Sequence, residues 1–265
     1  MNSDSEEAQL PDEIGQAASE GDLERVKAWL AGGTASAPRS VNDVDVDGWT
    51  LLMCTATSNA TTPEYVEFAR YLISRGAAID TQSFHSRSTA LHFACMHHRE
   101  ADAALVSTLV AAGAAINLKT NTGKSPLFGI EQASEWTLHI VTTLLRAGAS
   151  LDYEDQQGSI RSFEGHLNNI YRDNMEQRVH VDPLFKLVAS VRAAGSWKAH
   201  CISPHKQVLR LRSLVARGRV KLPSRTRRRS PRGRDARQKR ALEFAVRQGD
   251  NGIVWHILSF WRATA

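Results

Sequence analysis

Thr89-Ala90-Leu91-His92-Phe93-Ala94 decides how this chain reads, because the phrase returns in altered form at a near-constant interval. Upstream it is Gly48-Trp49-Thr50-Leu51-Leu52-Met53, and downstream Gly123-Lys124-Ser125-Pro126-Leu127-Phe128. Aligning Thr50, Thr89, Ser125 and Ile160 gives steps of 39, 36 and 35 residues. A second phrase keeps the same beat: Arg75-Gly76-Ala77-Ala78-Ile79-Asp80, Ala112-Gly113-Ala114-Ala115-Ile116-Asn117 and Ala147-Gly148-Ala149-Ser150-Leu151-Asp152. Two phrases held in one phase mark a single structural unit repeated along the chain.

Between the phrases lie apolar residues three and four apart, which share one face of a helix. They are Val66, Phe68, Ala69, Leu72 and Ile73, then Leu105, Val106, Leu109 and Val110, then Leu138, Val141, Leu144 and Leu145. Gly76, Gly113 and Gly148 follow these runs, where a left-handed turn ends a helix and favours glycine. The whole resembles the ankyrin repeat, a unit of ~33 residues built on T-P-L-H-x-A. That resemblance implies an all-α solenoid of helix–turn–helix repeats with short hairpin fingers. It implies that Thr or Ser opens each first helix and caps a free N–H, and that proline fits the first turn; only Pro126 keeps it. Leu91 and Ala94 are expected to face the neighbouring repeat, and His92 to bond backbone.

Residues 1–11 read as an acidic leader without order, and residues 12–196 as a repeat domain of about five units. Ile14 to Leu30 is a helix, a Gly21-Asp22 turn and a helix, with no T-P-L-H start. A terminal repeat with one face open to water has this character. In the last unit the step from Gly148 to Gly195 is 47 residues, which places an insertion near 166–183, expected as a surface loop or short helix. Its second helix is expected at Leu184–Arg192. Beyond it come a capping helix region (197–218), a basic linker (219–240) and a helix pair (241–262). The linker is expected to be disordered, since it has almost no apolar residues to offset the entropy of ordering. The helix pair is expected to fold back on the solenoid or to recruit a partner.

The net charge of +5 conceals a split. Residues 1–195 hold 15 Lys and Arg against 25 Asp and Glu, and residues 196–265 hold 18 against 3. An acidic body with a basic tail points to an interaction tail. No apolar run reaches the ~18 residues of a membrane span, and Met1–Glu7 lacks the basic start and apolar stretch of a secretory signal. Three spaced cysteines argue for a reducing compartment. A cytoplasmic location is expected, with the nucleus as the alternative.

No nucleophile elbow, phosphate loop or paired-carboxylate motif is present, so no catalytic residue is expected, and no cofactor. Cys95-Met96-His97-His98 lacks the second ligand pair of a zinc motif, so no metal site is expected either. Arg225, Arg227, Arg228, Arg229 and Arg232 form a basic patch that reads as a linker, an import signal or a phosphate contact. Ile253–Trp261 resembles the I-L-S-F core of an F-box, without its opening Leu-Pro.

The ankyrin resemblance implies that partners bind the finger tips and the exposed face of the first helices. Aligned on each finger glycine, the tip positions are Val46, Trp49, His85, Ser88, Asn121, Lys124, Gln156 and Ser159. Arg87 replaces the glycine of its finger, and Phe84 stands where a polar residue is expected. Trp49 is read either as an interface anchor or as packing on the preceding finger. The function expected is therefore a non-catalytic, monomeric protein-binding module. The alternatives are a ubiquitin-ligase adaptor acting through the C-terminal helices and a nuclear or nucleic-acid-associated protein acting through the arginine tail.

Overall fold

The computed structural model describes residues 9–33, 39–58, 64–96, 99–173 and 178–202. The described residues up to Ala189 belong to one compact unit; a second begins at Ser190, of which 190–202 are described, with 197–202 helical. The linker, the terminal helix pair and the basic patch lie outside the described residues, as do His97 and His98.

Helices α1 (Asp12–Glu20) and α2 (Leu23–Ala31) make the first pair, α3 (Leu51–Ala56) and α4 (Glu64–Ser74) the second, α5 (Ala90–Met96) and α6 (Glu100–Ala111) the third. In the fourth, a 3-10 turn (Pro126–Gly129) stands in for the first helix ahead of α7 (Thr137–Arg146). Strands β1 (Asp152–Glu154) and β2 (Ile160–Ser162) pair antiparallel, Tyr153 opposite Arg161, before α8 (Phe163–Asp173) and α9 (Arg178–Ala194). The architecture is an all-α solenoid with one small hairpin.

First helices pack on first helices, α1 on α3, α3 on α5 and α5 on the 3-10 turn. Second helices do the same, α4 on α6 and α6 on α7. A first helix is thus covered from two sides, which is why all of Leu51–Ala56 is buried. Leu91 and Ala94 are buried against their neighbours, as expected. Gly76, Gly113 and Gly148 all take positive φ, so α4, α6 and α7 each end in the expected left-handed turn.

Successive units are tied by a hydrogen bond on the same beat. The side-chain oxygens of Asn42, Asp80 and Asn117 accept the amides of Ala78 (2.7 Å), Ala115 (2.8 Å) and Ser150 (2.9 Å). Deeper in, Asp102 is 1% exposed and accepts from Tyr65 Oη at 2.7 Å, Arg99 Nε at 3.0 Å and the Arg99 amide at 2.8 Å. A buried carboxylate satisfied this fully locks α4 to α6.

Four expectations need correction. Leu10, assigned to the disordered leader, is buried and its amide donates to the Val44 carbonyl at 2.9 Å. Ile160 does not open a helix: it lies in β2, 77% exposed, and α8 starts three residues later. The reason is chemical, since isoleucine has no capping oxygen, whereas Ser162 Oγ accepts the Gly165 amide at 3.1 Å. Residues 166–173 continue α8, the short-helix alternative, but α9 begins at Arg178, before Pro183, and not at Leu184. Pro183 removes the bond to the Val179 carbonyl, close to the start of α9, where Val179 is exposed. Lastly, Ser125 caps nothing, and its hydroxyl is buried without a hydrogen-bond partner.

Candidate binding face

Each finger is closed by the same backbone pair. Asp45 N–H donates to Trp49 O (3.1 Å) and Gly48 N–H to Asp45 O (3.0 Å); Thr120 with Lys124 and Gly123, and Asp155 with Ser159 and Gly158, repeat this at 2.9–3.0 Å. The side chain at the finger's start reinforces it. Asp45 Oδ1 accepts the amides of Asp47 (2.9 Å) and Trp49 (2.8 Å), and Asp155 Oδ1 those of Gln157 (3.0 Å) and Ser159 (2.9 Å). The Ser83–Ser88 finger is one residue longer, with Ser83 N–H to Ser88 O and Arg87 N–H to Ser83 O both at 3.0 Å. Arg87 holds φ 54° there, in the left-handed region that glycine occupies in the other fingers.

The tips are bonded to one another in sequence. Phe84 N–H donates to Asp47 O (2.9 Å), Asn121 N–H to Ser86 O (2.9 Å), Asn121 Nδ2 to His85 O (2.7 Å), and Gln156 Nε2 to Asn121 O. Glycine is required where tips touch. A Cβ on Gly48 would meet the Phe84 ring at 2.7 Å, and one on Gly123 the Glu154 carbonyl at 2.6 Å.

The eight tip positions therefore part company. Val46, His85, Asn121, Gln156 and Ser159 are exposed, but Asn121 and Gln156 spend hydrogen bonds on neighbouring fingers and His85 Nε2 lies 3.1 Å from Asp47 Oδ1. Ser88 is buried, because the longer finger turns it inward, where its amide donates to Ser83 Oγ at 3.2 Å. Trp49 is half-buried and stacks on Phe93 of the following unit, centroids 4.5 Å apart. Its other surroundings include α1, whose Asp12 and Gln16 border the same small pocket.

A concavity lies between the last two fingers and the first helices beneath them. It encloses about 680 Å³ and is lined by Lys124, Gln156, Phe128, Tyr153, Ile160, Arg161, His166 and Asn169, among others. Beneath it lies Phe128, 1% exposed, 4.5 Å from Tyr153 and 5.7 Å from His166 ring to ring, with Phe163 behind at 5.5 Å. His166 Nε2 donates to Ile130 O at 2.6 Å, and burial holds its pKa below the ordinary histidine value against the pull of that carbonyl. It is a neutral ring on an aromatic floor. Of these residues only Lys124 and Gln156 were among the tip positions. Phe128 was readable, since it fills the place of His92 in the repeated phrase.

His92 shows what that place does elsewhere. Its Nδ1 accepts the Thr89 amide (3.1 Å) and faces the Thr89 hydroxyl (2.9 Å), while Nε2 reaches Lys124 O (3.3 Å). Burial lowers its pKa too. Cys54 and Cys95 are buried, and burial pushes the Cys54 thiol up to about 12 and the Cys95 thiol further. Buried thiols held protonated in this way are poor nucleophiles. No helix among the described residues is long and apolar enough to cross a membrane.

Residues 14–120 match the family model for ankyrin repeats in three copies, and no curated protein matches the chain. The match spans the first three helix pairs and ends inside the finger before the 3-10 turn. Ankyrin repeats are generally protein–protein interaction modules and typically not enzymes.

Proposed function

Taking as premise that this chain belongs to the ankyrin-repeat family, we propose that its concave face, from the finger tips down to the first helices, holds a segment of a protein partner. The groove above Phe128 carries this reading. It is large enough for side chains, lined by the half-buried rings of Tyr153 and His166 and edged by polar groups, which is the make-up of recognition sites generally. Photo-crosslinking tests the reading. A benzoylphenylalanine at Asn169 should capture a partner that the same group at Glu67, exposed on α4, does not. Equal capture from both positions would overturn it.

Two wider readings depend on residues 203–265: an adaptor that recruits a ubiquitin ligase through the terminal helices, and nucleic-acid contact through Arg225–Arg232. Affinity purification of the full chain against one ending at Gly218 separates them. Ligase subunits lost on truncation support the adaptor; partners released by nuclease and by salt support the arginine tail.

A further inference from the structure

The solenoid contains the same finger twice, at Asp45 and at Asp155, with one difference that bears on ligand chemistry. Both aspartates use Oδ1 to hold two finger amides. Asp155 spends its other oxygen on Arg161, Oδ2 to Nε at 2.8 Å. In Asp45 the corresponding oxygen meets no donor among the described residues, because the position matching Arg161 is Leu51. Asp45 instead lines a pocket of about 260 Å³ with Asp12, Gln16, Trp49 and Cys54. The chain thus shows in one finger what the bare carboxylate of the other accepts. A guanidinium suits this pocket for a second reason, since it stacks on aromatic faces; Arg39 already does so over Trp29, 5.4 Å from the ring.

Further along the same face the imbalance reverses. Lys124 occupies the finger position of Trp49 two units on and lines the Phe128 groove. Arg161, the other cation there, is answered by Asp155, whereas Lys124 has no carboxylate partner among the described residues. Beside it, Ser125 Oγ is unpartnered although the residue is only 4% exposed. It lines an adjoining cavity of about 350 Å³ that shares Tyr153 and Ile160 with the groove. In the groove itself, the unanswered ammonium of Lys124 calls for an acceptor-rich group.

We propose that the bound segment is extended and bipolar, with an arginine seated against Asp45, Asp12 and Trp49 and a carboxylate side chain set against Lys124. Packed helices lie roughly 8–10 Å apart, so two units separate the ends by roughly 16–20 Å, about five or six residues of extended chain. This rests on the concave face being the binding face and adds the partner's chemistry to it.

Selection of random twelve-residue peptides displayed against the full chain tests it. Enriched peptides should share an arginine and an Asp or Glu five or six residues apart, in one order. Asp45→Asn keeps the oxygen that the finger amides need and removes the charge; it and Lys124→Gln should each weaken the selected peptides by roughly tenfold. Lys124→Glu should shift selection from an acidic to a basic residue at that position. Peptides that lose binding in Asn169→Trp, which fills the groove, yet lack the charge pair or ignore Asp45→Asn and Lys124→Gln would sink the bipolar segment and leave the concave face as the binding face. No enriched peptide, or binding indifferent to Asn169→Trp, would sink both.

Discussion

The unit that opens at Thr89 and the unit that opens at Ser125 begin with nearly the same phrase and end with different work. In the first, His92 turns back on its own helix start and satisfies the Thr89 amide. In the second, Phe128 offers no such acceptor, Ser125 Oγ has no hydrogen-bond partner and a 3-10 turn stands in the helix's place. The ring swings into company with Tyr153, Phe163 and His166. At this one position of the repeat, a hydrogen bond to the helix start gives way to an aromatic cluster buried beneath a groove. In this molecule regularity and concavity trade against each other.

The largest effect should come from the shared core. Leu91→Ala or Leu109→Ala should destabilise by about 2–5 kcal/mol, since each is fully enclosed and leaves a cavity. Leu127→Ala, at the equivalent place in the 3-10 turn, should fall at the low end of that range if the irregular turn collapses more readily. Urea denaturation of the three variants measures this. Equal losses would mean that the two units are equally rigid.

Exchanging the two side chains sharpens the comparison. His92→Phe should cost about 1–3 kcal/mol by stranding the Thr89 amide, while Phe128→His should restore a partner to Ser125 and thin the groove's floor. The two histidines also set a pH dependence. Burial lowers both His92 and His166 below 6.5 in the folded chain, so the unfolded chain binds the proton more readily. Their contribution to stability is whole above pH 6.5 and declines between 6.5 and the lower folded values as pH falls. Unfolding midpoints measured between pH 7.5 and 5 should drop accordingly, and a flat profile would contradict the neutral, buried rings.

A smaller contrast lies in the hydroxyls. Thr50→Ala removes a cap, Thr50 Oγ1 accepting the Met53 amide at 3.3 Å, and should cost about 1 kcal/mol. Ser125→Ala removes a hydroxyl with no partner and should be neutral or mildly stabilising. A loss at Ser125 matching that at Thr50 would show that the hydroxyl is bonded after all. Smallest of all, Arg87→Gly should gain up to about 1 kcal/mol by relieving a left-handed residue, offset by glycine's freedom when unfolded and by the lost contact of Arg87 Nη2 with Gln82 Oε1 at 3.0 Å.

The repeat, its phase, the helix-ending glycines and the apolar faces were all legible in the chain, because they rest on interactions within one unit or on a periodicity that every unit obeys. Thr50, Gly76, Gly113 and Gly148 do what their residue types dictate anywhere. The start of α8 was not legible, since alignment carried the expectation to Ile160 while the cap chemistry moved it to Ser162. Nor was the fate of the tip positions. Ser88 turned inward because its finger is one residue longer, and Asn121 and Gln156 were claimed by adjacent tips. Asp102 gave no sign of burial, because only the approach of Tyr65 and Arg99 makes a carboxylate bearable there. Sequence by itself determined what each unit is, since that follows from local propensity and spacing. Only the tertiary structure decided which side chains are left over for a partner, because that depends on what the neighbouring unit has already taken.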